Sequence, residues 1–126
     1  MNPIRVLLVD DEAEFTEGLT KVLRRRGLTV HAVSDAAAAL SLVSRETFDV
    51  VILDVKMPGM GGLEALSEIK RTSPGTEVIL MTGHLSPSEE EEGLRAGATA
   101  YLIKPYPIPD LVTLIQEAAG HKKEVE

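Results

Sequence analysis

Five short apolar runs, separated by segments of helical spacing, constrain this chain more than any other feature. The runs are Val6 to Val9, a weaker Leu28 to Val33, Val50 to Leu53, Val78 to Met81 and Ala100 to Ile103. Their length and β-branched content predict buried strands. The first intervening helix carries Phe15, Leu19, Val22 and Leu23 inward and is closed by Arg24 to Arg26 and then Gly27. A second helix is predicted from Asp35 to about Arg45, capped by Ser34 or Asp35 and burying Leu40 and Val43. A third starts near Gly62, shows Leu66 and Ile69 to the core, and stops before Pro74. The fourth opens at Ser86-Pro87-Ser88-Glu89, which joins an N-cap, a first-turn proline and a capping-box glutamate. The last begins near Pro109, carries Leu111, Leu114 and Ile115, and is expected to end at Gly120. Parallel neighbours need crossover connections and helices supply them, so the expectation is an α/β, doubly wound fold: a five-stranded parallel sheet with helices on both faces. Residues 1–120 form one domain in this reading, and 121–126 are a charged tail or the start of a linker.

With 126 residues, 44% hydrophobic and only 3% aromatic, the chain predicts one core built from aliphatic side chains. Its net charge of −7 argues against direct nucleic-acid binding and against attraction to anionic lipid. There is no Cys, which excludes disulfides, zinc-thiolate sites and cysteine catalysis. The stretch Ile4 to Val9 is interrupted by Arg5 and too short for a membrane span or a signal segment, so a cytoplasmic location is expected.

Four of the five runs end in a residue with reactive or ligating capacity. Val9 is followed by Asp10 and Asp11, Leu53 by Asp54, Met81 by Thr82, and Ile103 by Lys104. Carboxyl ends of parallel strands share one edge of an open α/β sheet, so these residues are predicted to converge in one crevice. Two carboxylates about 4 Å apart repel by about 4 kcal/mol at an effective dielectric constant of about 20, and a cation is needed among three of them. An all-oxygen set without Cys or His favours a hard ion such as magnesium. With that charge offset, Asp54 can act as a nucleophile on phosphorus while Asp10 and Asp11 hold the ion. Lys104 would stabilise the transferring phosphoryl oxygens and the Thr82 hydroxyl would donate to them.

Val9-Asp10-Asp11-Glu12, Asp54 followed by Met57-Pro58-Gly59-Met60-Gly61-Gly62, Thr82-Gly83 and Lys104-Pro105 together resemble the signature of response-regulator receiver domains, across residues 4 to about 119. The resemblance implies a flavodoxin-like strand order 2-1-3-4-5, and phosphorylation of Asp54 by a histidine kinase or phosphotransfer domain. It also implies that Asp11 and Asp54 bind Mg2+ directly, that Asp10 contributes through water or charge, and that the Lys56 carbonyl completes the site. Thr82 and Tyr101 match the family's switch pair. Lys56 and His84 match the flanking positions that tune the phosphoryl group's lifetime, and the bond before Pro105 is expected to be cis. The remodelled face would be that of the fourth helix, fifth strand and fifth helix, a surface for homodimers or effectors.

Taken singly, each of these residues reads as an ordinary cap, turn or surface charge; their joint placement reverses that reading. Two alternatives stand beside it: a magnesium-dependent phosphatase or phosphotransferase working through an aspartyl phosphate, and a receiver-shaped or flavodoxin-like binding module. The fourth helix has four consecutive glutamates, an interior Gly93, and Leu94 as its only large apolar residue. That helix is expected to be the least anchored and the one that phosphorylation remodels.

Overall fold

In the computed structural model, which describes residues 3–57, 59–84 and 86–125 and side chains up to residue 120, each apolar run forms a strand. The chain order is β1 (Arg5–Val9), α1 (Ala13–Arg25), β2 (Thr29–Val33), α2 (Ala36–Arg45), β3 (Val50–Asp54), α3 (Gly62–Thr72), β4 (Glu77–Thr82), α4 (Pro87–Arg95), β5 (Ala100–Ile103) and α5 (Ile108–Val125). All strand pairs are parallel, in the order β2-β1-β3-β4-β5. The α/β class, the strand order and the helices on both faces are as expected from the sequence. No described helix is long and apolar enough to cross a membrane.

Successive strand side chains point to opposite faces, so a strand buried on both sides must be apolar at every position. On one face, Val6, Leu8, Ile52 and Met81 pack with Leu19 and Leu23 of α1 and Leu111 and Ile115 of α5. On the other, Leu7, Val9, Val51 and Leu53 pack with Ala39, Val43, Leu66 and Ile69 of α2 and α3. β3 is buried along its whole length, which fixes the position of Asp54 at its end.

The helix starts follow the local chemistry. Asp35 Oδ1 accepts from the Ala38 N–H at 2.8 Å to cap α2. At α4 the Ser86 hydroxyl oxygen accepts from Glu89 N–H at 3.2 Å, and Glu89 Oε1 accepts from Ser86 N–H at 3.2 Å. Two details differ from expectation. Ala36 and Ala39 share the inward face of α2 with Val43, while Leu40 is only partly buried. α5 runs through Gly120 instead of ending there. Gly120 keeps right-handed backbone and has open space where a Cβ would lie, so it weakens the helix without stopping it.

Gly93 also has a different part from the one composition suggests. It is the only buried residue of α4, and a Cβ there would stand 2.7 Å from Leu80 Cδ1 and 3.4 Å from Leu63 Cδ2. Its missing side chain lets the helix seat on β4, whereas Leu94 is 49% exposed. A helix held by so small a contact should open readily. Amide exchange measured residue by residue is therefore expected to be faster in α4 than in α1, and equal protection would contradict the packing described.

Gly62 marks a tighter approach, since a Cβ there would lie 2.6 Å from Val55 Cα. Backbone would have to move, and Gly62→Ala is expected to cost about 2 kcal/mol in denaturant unfolding. Gly120→Ala should instead add about 0.5–1 kcal/mol.

Candidate functional site

β1, β3 and β5 end at the same edge of the sheet and deliver Asp10, Asp54 and Lys104 to one place. Lys104 Nζ lies 2.8 Å from Asp10 Oδ2, 2.8 Å from Glu12 Oε1 and 3.6 Å from Asp54 Oδ2. Carboxylate oxygens of Asp10, Glu12 and Asp54 lie within 4.8 Å of one another. Asp10 is 1% exposed and Asp54 is 3% exposed, so both charges stand largely out of water.

Backbone donors hold the two buried acids. Asp10 Oδ1 accepts from Glu12 N–H at 2.9 Å, and Asp54 Oδ1 accepts from Lys56 N–H at 3.1 Å. Burial pushes the Asp54 carboxyl up to about 6, against the pull of the Lys56 N–H and the Lys104 charge, with Asp10 raising it further. Burial alone would lower the Lys104 ammonium; hydrogen bonds to Asp10 and Glu12 and the charge of Asp54 outweigh it and hold Lys104 above its ordinary range. The Lys104–Pro105 peptide bond is cis.

The remaining expected residues surround this centre in different ways. Asp11 is exposed at the end of β1 and lies outside the three-carboxylate cluster. Lys56 turns its ammonium outward to Glu89 Oε2 at 2.5 Å, tying the loop after β3 to the first turn of α4. Glu89 is held down at about 2, chiefly by that hydrogen bond from Lys56. Thr82 is fully buried; its hydroxyl donates to the His84 carbonyl at 3.0 Å and accepts from His84 N–H at 3.3 Å. The His84 residue itself is exposed. The Tyr101 hydroxyl donates to the Glu90 carboxylate on α4.

Glu12 stands in the Val9-Asp10-Asp11-Glu12 motif without a role assigned from sequence, and the structure makes it one of the two carboxylates closest to Lys104. The available signal was its position immediately after Asp10 and Asp11, in the turn that enters α1. Pro58, part of the loop motif, lies outside the described residues.

The sequence and the fold are similar to those of known proteins. The family model described as "Response regulator receiver domain" matches residues 6–116. The probable transcriptional regulatory protein TcrX of Mycobacterium tuberculosis is 36% identical over 110 residues, covering 87% of this chain and 47% of that protein. The chain thus spans about half the length of such curated relatives. Among solved structures, a CheY-like response regulator receiver domain protein from Methanospirillum hungatei superposes with a TM-score of 0.96 at 30% identity, covering 99% of this chain and all of the other. A response regulator protein from Burkholderia pseudomallei, solved with a phosphorylated aspartic acid, a calcium ion and citrate, gives a TM-score of 0.85 at 25% identity, over 96% of this chain and 71% of that one.

The raised carboxyl makes folding stability depend on pH. Between the ordinary value of 3.8 and about 6 the folded chain binds the Asp54 proton more tightly than the unfolded chain. Stability from this group is therefore greatest at low pH and falls as pH rises through that window. In metal-free solution Asp54→Asn is expected to stabilise the protein at pH 7 by on the order of 2 kcal/mol. Little gain should appear near pH 4, where Asp54 is already neutral, and denaturant midpoints at the two pH values measure the difference.

Proposed function

The chain belongs to the response regulator receiver domain family, whose function is that of a phosphoacceptor, and from that premise we propose that Asp54 takes the phosphoryl group here. One observation carries the assignment: Asp10, Asp54 and Lys104, far apart in sequence, meet within hydrogen-bond or ion-pair reach at the carboxyl edge of the sheet. A phosphorylated aspartic acid in the Burkholderia relative supports it.

The donor set fits a hard divalent ion, because the approaching atoms are carboxylate oxygens and their mutual repulsion favours a cation among them. Asp10, Asp11, Asp54 and the Lys56 carbonyl would hold Mg2+, with Asp11 moving in from its exposed position. When bound, the ion supplies charge neutralisation and coordinates phosphoryl oxygens. Asp54 attacks phosphorus through a carboxylate oxygen, and the bond between phosphorus and the donor's histidine nitrogen breaks. Lys104 then exchanges Asp10 and Glu12 for a phosphoryl oxygen, and Thr82 turns its hydroxyl from the His84 carbonyl to another. Tyr101 leaves Glu90 and follows Thr82 inward. Lys56 and His84 flank the group and tune its loss to water.

The outcome in this reading is a switch that keeps one phosphoryl group, set by a histidine kinase or phosphotransfer domain. α4, β5 and α5 form the face that answers, where Leu94 and Ile103 are 49% and 46% exposed and open to a second copy or an effector. Moving such an equilibrium from 1:99 to 99:1 takes about 5.5 kcal/mol, which the new Thr82 and Lys104 contacts would supply. The family assignment disfavours a phosphatase.

Incubation with a small phosphodonor and magnesium should raise the intact mass by one phosphoryl group per chain. Asp54→Ala or chelation of the magnesium should abolish the gain, and Lys104→Met should slow it about a hundredfold. A gain that survives in Asp54→Ala, or many donor molecules consumed per chain, would overturn the assignment.

A further inference from the structure

The chain has only two Phe and two Tyr, and one of each stands beside the reactive lysine. Lys104 Nζ lies over the face of Phe15, 4.4 Å from the ring centroid. The Phe15 ring is in turn met edge-on by Tyr106, with centroids 6.5 Å apart and planes at 82°. Tyr106 is anchored by its hydroxyl, which donates to Met81 Sδ at 3.3 Å. The ring therefore has a fixed orientation, and it presents its electron-rich face to a cation.

Glu12 and Phe15 lie three residues apart at the start of α1, so they share one side of the helix entry and flank Lys104 together. Their attractions differ in kind. Glu12 and Asp10 bind the ammonium through directed hydrogen bonds that must break when Lys104 turns to a phosphoryl oxygen. The ring's attraction is spread over its face and survives a small displacement of the charge. The Lys104 side chain is only 14% exposed, so an ammonium released from its carboxylates has little water to take their place.

We propose that Phe15 is a positioning residue, holding the Lys104 ammonium at the site while it passes from Asp10 and Glu12 to the phosphoryl group. The proposal rests on Asp54 being the phosphoacceptor and adds to that reading a residue that touches neither phosphorus nor metal.

Fluorinated phenylalanines test it, because each added fluorine weakens the attraction of the ring face for a cation with little change in shape. Mono-, di- and trifluorinated phenylalanine placed at position 15 alone should slow the gain of phosphoryl mass stepwise, reaching about fivefold with the trifluorinated ring. The thermal midpoint should stay nearly constant along the series. Phe15→Leu should match the slowest member, and Phe15→Tyr should retain the original rate. A rate that is flat or rises with fluorination, while the unmodified chain is phosphorylated normally, overturns the role of Phe15 alone. An unmodified chain that gains no phosphoryl mass overturns the Asp54 reading and this one with it.

Discussion

Two carboxylates that are almost completely buried share a single ammonium, and the arrangement of the site follows from that shortage of positive charge. Asp10 takes Lys104 at 2.8 Å while Asp54 is left at 3.6 Å. A buried acid without a full partner is costly, and the chain answers with backbone N–H donors from Glu12 and Lys56 and with a raised Asp54 carboxyl. Such a pocket is short of cations by construction. A divalent ion removes the imbalance, and a phosphoryl group arriving with it gives Lys104 a new partner.

The same edge of the sheet is joined to α4 at two points. Lys56, two residues beyond Asp54, pairs with Glu89, and Tyr101 in β5 donates to Glu90. An exposed ion pair such as the first adds little stability; its importance is positional, because it connects the acid loop to the least buried helix. The glutamate run, which sequence alone presents as a solvated face, divides accordingly. Glu89 pairs with Lys56, Glu90 accepts from Tyr101, Glu91 pairs with Arg95 along the helix, and Glu92 is exposed.

α4 shows how little holds the element nearest the site. Gly93 seats it on Leu80 and Leu63, and its large apolar residue, Leu94, faces outward instead of into the core. A helix whose one buried residue is a glycine can exchange its packing at small cost, which suits a helix expected to shift.

Sequence by itself determined the alternation of strands and helices, the burial of both sheet faces, and the meeting of Asp10, Asp54, Thr82 and Lys104 at one edge. These follow from local periodicity and from the direction that parallel strands impose on their ends. Even the Ser86 capping box was legible, since its two partners are three residues apart. The tertiary structure alone decided which groups touch. Lys104 reaches Glu12 across 92 residues and Phe15 across a helix entry, Thr82 spends its hydroxyl on its own loop, and Gly93 is a seat and not a flaw. Such contacts depend on rotamers and on how far one helix settles onto the sheet. No residue's neighbours along the chain encode those quantities; only the closed packing of both layers fixes them.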